Sequence, residues 1–228
     1  AQTGCMRTEA LIFDMDGTMV DSLPFHAQSW VVFCERHGIQ IDVHDLLRRT
    51  NGSNGLECMR VLFNRPMADD EARPLVHEKE SIYRELFAPV FAEVPGFRRF
   101  AYRAMDLGLK IGVGTAGDLQ NVNFVFSHIN MDPRPSTIVR GDEGLPGKPE
   151  PAIFLEAARR LGAEPSRCVV FEDAPLGIEA ARRAGMRAVG ICTTHTPGEL
   201  SGHHVIAHAR HFDELLQSDF LGNIHAHA

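Results

Sequence analysis

"LIFDMDGTMVDS" runs from Leu11 to Ser22. An apolar run ends on Asp14, and a second carboxylate, Asp16, follows after a single residue. In an open α/β sheet, ligands bind beyond the carboxyl ends of the strands. Side chains at i and i+2 of an extended chain share a side, so both carboxylates can face one pocket. Two adjacent anions repel, and a cation is needed to keep both ionised. Asp-Gly is also a common turn pair, so this stretch alone reads equally well as a solvated turn.

Outward from this run the chain alternates. "CERHGI", "AMDLGLKI", "ARRLGA" and "ARRAGM" each read as a helix stopping at Gly38, Gly108, Gly162 or Gly185. Gly takes the left-handed conformation that caps a helix C-terminus. Basic residues in three of these last turns suit the negative end of the helix dipole. Between the helices lie short, nearly continuous apolar runs: Ala10–Phe13, Leu109–Val113, Thr137–Val139, Cys168–Phe171 and Ala188–Ile191. Such runs are expected of strands buried on both faces. The repetition predicts an α/β fold with a doubly wound parallel sheet.

The stretch Leu23–Ala92 shows helical patterns only, in "FHAQSWVVFCERHG", "LECMRVLF" and "EARPLVHEKESIYRELF". It reads as a helical domain inserted after the first strand, which leaves 1–22 and 93–228 as the core. "AEVPGF" is the expected return linker, with a Pro-Gly turn. The tail "GNIHAHA" is expected to be disordered, and its His225 and His227 read as a frayed end rather than a metal site.

The chain of 228 residues carries a net charge of −7. That argues against a general nucleic-acid binder. No apolar run is long enough to span a bilayer, and no secretory leader pattern opens the chain. The five cysteines, Cys5, Cys34, Cys58, Cys168 and Cys192, are scattered without a CxxC. They read as reduced thiols of a cytoplasmic protein. A monomer or weak dimer is expected. Met6 is a candidate natural start, which would make the first five residues an appendage. The acidic balance poses a problem for an anionic substrate, because something local must reverse the sign.

Three further segments supply partners for the two aspartates. "KIGVGTAGD" ends a strand on Thr115, and the small Ala116 and Gly117 let backbone N–H groups approach an anion. Asp118 is a candidate N-cap for the next helix. "GLPGKPEPAIF" places Lys148 in a Gly/Pro loop before a helix, in a chain with only three lysines. "CVVFEDAPLGIEAARRAG" ends a strand on Glu172 and Asp173. Two acidic pairs at strand ends, with a lysine and a hydroxyl, make a plausible magnesium and phosphate site, since Mg²⁺ takes a few carboxylates plus waters and substrate oxygens.

In this order the four segments resemble motifs I to IV of the haloacid dehalogenase superfamily of phosphotransferases, over nearly the whole chain. "DMDGT" is specific when "GKPEP" and "FEDAPLGIEAA" follow. The helical insert resembles the small cap domain of that family. "DSLPFHAQSW", with His26 and Trp30 four apart, is similar to the β-phosphoglucomutase-like branch. The resemblance implies that Asp14 is a nucleophile forming an aspartyl-phosphate. Asp16 would protonate the leaving alkoxide, then deprotonate the attacking water, and its backbone carbonyl would bind Mg²⁺. Thr115 and Lys148 would hold phosphate oxygens, and Asp173 and Glu172 would hold the metal directly or through water. The cap would exclude water and select the leaving group. His26 would face the substrate or pack, and Trp30 would more readily pack. Asn51, Gly52, Ser53 and Asn54 form a cap loop that either meets the site or only makes turns and caps.

The expected activity is Mg²⁺-dependent hydrolysis of a small phosphomonoester. A dehalogenase would not be expected to keep Asp16. A phosphonoacetaldehyde hydrolase needs a cap lysine, and Lys79 lies well beyond the loop expected to carry it. A scaffold without catalysis would have lost part of the set. A phosphosugar mutase must bind a second phosphate, and the arginine that β-phosphoglucomutases supply for it is replaced at the matching position by Gly55. Arg48 and Arg49 lie just before the loop and are expected to face solvent.

Overall fold

The computed structural model describes residues 7–226. The candidate start Met6, Cys5 and His227 lie outside these residues. Strands β1 (Ala10–Phe13), β2 (Lys110–Gly114), β3 (Thr137–Val139), β4 (Cys168–Glu172), β5 (Arg187–Ile191) and β6 (Val205–Ala209) form one sheet in the order β3-β2-β1-β4-β5-β6. Every pairing is parallel. The opening run is therefore the interior strand, flanked on both edges.

Alternation along β1 explains its unbroken apolar sequence. Leu11 and Phe13 point into one core cluster, and Ala10 and Ile12 into another. Helices α5 (Phe97–Asp106), α6 (Leu119–His128), α9 (Phe212–Gln217) and α10 (Phe220–Ala226) cover the first face. There Phe13 stacks on Phe171 at 4.7 Å and meets Phe97 edge-on at 5.2 Å. Helices α7 (Ala152–Leu161) and α8 (Pro175–Arg183) cover the second. Each buried side chain of this size is worth about 1.5–3 kcal/mol.

Between β1 and β2 run helices α1 (Leu23–His37), α2 (Val43–Thr50), α3 (Gly55–Phe63) and α4 (Asp69–Phe87). They enclose a separate apolar cluster that includes Trp30, Phe33, Leu46, Met59 and Ile82. Tyr83 and Phe87, at the end of α4, leave that cluster and join the first core cluster. The insert thus has its own core and a hinge side packed on the sheet domain. No helix among the described residues is long and apolar enough to cross a membrane.

The four glycines expected to stop helices all adopt positive φ: Gly38 at 64°, Gly108 at 82°, Gly162 at 65° and Gly185 at 74°. Two features differ from expectation. Strand β6 was not expected, because "VIAHA" is a half-exposed edge strand in which only Ala209 is fully buried. The tail is also not disordered through "GNIHAHA": α10 continues to Ala226, anchored by Phe220 and Leu221 in the core, and His225 lies 3.3 Å from an Arg7 nitrogen. Both cases have the same cause, since burial there depends on neighbours remote in sequence.

Register carries the fold to the site. Phe13 pairs with Val113 on one side and with Phe171 on the other. Asp14 therefore stands level with Gly114 and Glu172, and Thr115 and Asp173 lie one residue further on. The opened end of three adjacent strands delivers four of the residues singled out in the sequence.

Candidate active site

Asp14 is buried at the tip of β1, and Lys148 Nζ donates to its Oδ1 at 2.9 Å. The same ammonium donates to Glu172 Oε2 at 2.8 Å and to the Gly114 carbonyl at 3.1 Å. All three of its protons are thus used. Burial opposes the charge on Lys148, but Asp14 and Glu172 outweigh it and raise its pKa. Glu172 Oε1 accepts from the N–H groups of Asp173 and Ala174. Its two oxygens are committed to the lysine and to the start of α8.

Asp173 is different. It is fully buried, its Oδ1 lies 3.1 Å from Thr18 Oγ1, and its Oδ2 has no partner. Thr18 Oγ1 also stands 3.3 Å from Asp14 Oδ2, bridging the two carboxyls. Burial, then Asp14 and Glu172, push the Asp173 carboxyl well above its ordinary pKa. Asp14, Glu172 and Asp173 each offer an oxygen within 4.8 Å of the others. Three carboxylates face one ammonium there, so a divalent cation balances the group. Space for it is kept by Gly17, at φ 76°, where a Cβ would collide with Asp173 Oδ2. The orphaned oxygen and the missing Cβ both fit a hard cation.

Asp16 and Asp14 both line a cavity of about 720 Å³ between sheet domain and insert. Asp16 Oδ1 accepts from Ser22 Oγ at 2.7 Å and lies 3.1 Å from His26 Nε2 and 3.4 Å from the Tyr83 hydroxyl. Among the described residues, Oδ2 accepts no hydrogen bond. Lys79 Nζ lies 2.7 Å from His26 Nδ1. An ammonium has no acceptor, so Nδ1 accepts, and Nε2 carries the ring proton to Asp16. His26 is clamped by stacking on Tyr83 at 3.7 Å. Burial beside Asp16 and Glu80 pushes the Tyr83 phenol pKa well up, which keeps it a donor. Burial would also raise the Asp16 pKa, yet His26, Ser22 and Lys79 together lower it.

Thr115 is buried at the tip of β2, where its Oγ1 accepts from Gly117 N–H at 3.0 Å and keeps its own proton to donate. Ala116 and Gly117 line the cavity beside it. Asp118 caps α6 by accepting from Asn121 N–H at 2.9 Å. The cap loop meets the site: Asn51, Gly52, Ser53 and Asn54 all line the cavity. Asn54 is at the same time the N-cap of α3, accepting from Glu57 N–H at 2.9 Å. His26 lines the cavity, and Trp30 does so while packing in the insert's core, with Lys79 Nζ 4.8 Å from its ring. Arg48 and Arg49 point to solvent beside Asp45.

Several residues at the site carried no sequence expectation: Thr18, Ser22, Glu80, Tyr83 and Asn121. Lys79 was considered only as an amine nucleophile. It does reach the site, with its Nζ 3.1 Å from Glu80 Oε1 and 2.7 Å from His26 Nδ1. One signal was present. Lys79 shares the helical spacing of Val76, Tyr83 and Phe87, and a lysine on an apolar stripe is out of place.

Comparison with known proteins agrees with this geometry. A model of the haloacid dehalogenase-like hydrolase family matches residues 8–185. Fructose-1-phosphate phosphatase YqaB of Escherichia coli (strain K12) is 31% identical over 185 residues, covering 81% of this chain and 97% of that protein. Beta-phosphoglucomutase of Bacillus subtilis (strain 168) is 30% identical over 190 residues, covering 80% and 83%. The crystal structure of a hydrolase from Pseudomonas syringae superposes with a TM-score of 0.83 at 25% identity, covering 95% and 99%. With six parallel strands, a helical insert after the first and an Asp-x-Asp pair at that strand's tip, the chain belongs to the haloacid dehalogenase-like hydrolases and groups with their β-phosphoglucomutase-like members.

Proposed function

We propose that the protein is a Mg²⁺-dependent phosphatase acting on a small sugar phosphate or similar phosphomonoester, with residues 23–92 as its cap. The observation that carries this reading is the division of labour between Asp14 and Asp16. Asp14 is held beside Lys148, and Asp16 has one anchored oxygen and one facing the cavity. In the first step an Asp14 oxygen bonds to phosphorus as the bond to the leaving oxygen breaks, and Asp16 supplies that oxygen's proton. In the second, Asp16 takes a proton from water, which bonds to phosphorus and releases Asp14. Thr115, the N–H groups of Ala116 and Gly117, and Lys148 bind the phosphate oxygens. His26 and Lys79 orient Asp16 and keep its proton exchange on the cavity side. Asp14, Asp173 and the Asp16 carbonyl would hold Mg²⁺, with Glu172 supporting through Lys148 and α8. Bound there, the ion would neutralise phosphate charge and offset the chain's acidic balance.

Asp14→Asn tests the reading. Turnover of p-nitrophenyl phosphate is expected to vanish with the fold retained by circular dichroism. Residual activity within tenfold of wild type would sink the covalent route, since tenfold is only about 1.4 kcal/mol of barrier.

The similarity to beta-phosphoglucomutase supports a second reading, phosphosugar mutase. Against it stands Gly55, where a Cβ would lie 2.7 Å from Val76 Cγ1, so an arginine there requires the Val76 side chain to shift. Supplying β-glucose 1-phosphate with a trace of glucose 1,6-bisphosphate separates the two. The phosphatase reading expects free phosphate, and efficient formation of glucose 6-phosphate with little phosphate release would replace it.

A further inference from the structure

The cavity contains a carboxylate that neither step above uses. Glu80, on α4, lines the cavity, and its side chain is 14% exposed. Both domains fix its position. Oε1 accepts from Lys79 Nζ at 3.1 Å, and Oε2 accepts from Asn121 Nδ2, on the core helix α6, at 2.7 Å. Asn121 is itself buried, and its Oδ1 accepts from Arg84 at 2.7 Å, so α4 grips this amide at both ends. A carboxylate oxygen has about two acceptor sites, which leaves each Glu80 oxygen able to accept once more. Burial disfavours its charge, but Lys79, His26 and Asn121 together lower its pKa.

Its location is set relative to the chemistry. Glu80 Oε2 lies 3.8 Å from His26 Nδ1, and the other nitrogen of that ring lies 3.1 Å from Asp16 Oδ1. Glu80 thus stands one imidazole away from Asp16, on the wall of the same cavity. Among the arginines and lysines lining the cavity, Arg60, Arg73 and Lys79 lie 2.5, 2.6 and 3.1 Å from Asp69, Asp70 and Glu80, respectively, so each already faces a carboxylate. On the core side Asp118 and Asp142 add acidic lining.

We propose that Glu80 is a specificity-determining residue of this site: it accepts a hydrogen bond from a hydroxyl of the leaving group and rejects leaving groups that carry a second negative charge. The proposal rests on the phosphatase reading and deepens it, narrowing the substrate to phosphate esters of uncharged polyols or sugars. A hydroxyl donating to a carboxylate makes a charge-assisted bond. A carboxylate or second phosphate in the same place meets like charge with no free partner.

The test uses sorbitol 6-phosphate and 6-phosphogluconate, which share chain length and differ at the far end by hydroxymethyl against carboxylate. Wild type is expected to prefer sorbitol 6-phosphate in kcat/KM by roughly tenfold or more. Glu80→Gln keeps the shape and removes the charge. It is expected to raise KM for sorbitol 6-phosphate and to shrink the preference by roughly tenfold. A purely structural ion pair to Lys79 would lower the melting temperature without changing this ratio. An unchanged ratio in folded Glu80→Gln, or no preference in wild type, overturns the proposal. Should that variant not fold, product inhibition of wild type decides. Sorbitol is expected to compete against p-nitrophenyl phosphate and gluconate is not, and the opposite order overturns the proposal. Aryl phosphate turnover without polyol preference removes the role of Glu80 alone. No turnover of any of the three esters removes the phosphatase reading and this proposal with it.

Discussion

Asp14, Glu172 and Asp173 share a buried volume with one ammonium, so Lys148 is the residue whose loss the fold should feel most. Removing one partner of a buried ion pair typically costs about 3–5 kcal/mol. Lys148→Met is expected to lose that much stability in urea unfolding as well as all turnover, and a loss under about 1 kcal/mol would contradict a cluster held by this charge. Gly17 carries the complementary prediction. Gly17→Ala places a methyl against Asp173 Oδ2 on a backbone at φ 76°. It is expected to weaken Mg²⁺ binding measured by calorimetry, even where the protein still folds. At this scale the sequence was most informative. Asp14, Asp16, Thr115, Glu172 and Asp173 lie at or just past strand ends, and Lys148 lies in the Gly/Pro loop before α7, so local patterning exposes them. Lys79, Glu80 and Asn121 sit inside helices, where a polar residue looks like surface until the facing element is known.

Among the elements, α3 and the loop before it do two jobs. Asn54 caps α3 and also lines the cavity, while a Cβ at Gly52, were there one, would lie 3.5 Å from Leu176 Cβ and 3.7 Å from Lys148 Cβ. Asn54→Ala is expected to cost about 1 kcal/mol as a lost N-cap, and to raise KM more than it lowers kcat because the loop loosens. A stability loss with unchanged KM would leave the loop only a structural part. Gly55→Arg is expected to destabilise the insert by displacing Val76, and not to create mutase activity. The sequence reading quoted helical patterns for α1, α3 and α4 of the insert, left α2 without one, and missed β6. Strand "VIAHA" carries a histidine and exposes Ile206 and His208, so it lacks the nearly continuous apolar run that marked the five expected strands.

For the whole molecule, the acidic cluster as the proposed metal site would link stability to metal. A ligand that binds only the folded state stabilises it by about 2.7 kcal/mol at one hundred times its Kd. Mg²⁺ is expected to raise the melting temperature of wild type and to leave Asp173→Ala nearly unmoved. Calcium is expected to stabilise as well but to inhibit, because its larger and more flexible shell would misplace Asp14, the proposed nucleophile, relative to phosphorus. A melting temperature indifferent to Mg²⁺ in wild type would rule out this cluster as the metal site. By itself the sequence determined the parallel sheet, the helical insert and the strand-end residues. Each of these follows from local rules: buried strands read as apolar runs, helices stop at glycine, and catalytic groups extend past strand tips. Only the tertiary structure decided what surrounds them. The Lys79–His26–Asp16 chain joins α4 to α1 and the tip of β1, and the Glu80–Asn121–Arg84 clamp joins α4 to α6. Such contacts arise where two domains fold over one cavity, and pairs 37 to 53 positions apart, as in Arg84–Asn121, Glu80–Asn121 and Lys79–His26, leave no periodicity that a linear reading can detect.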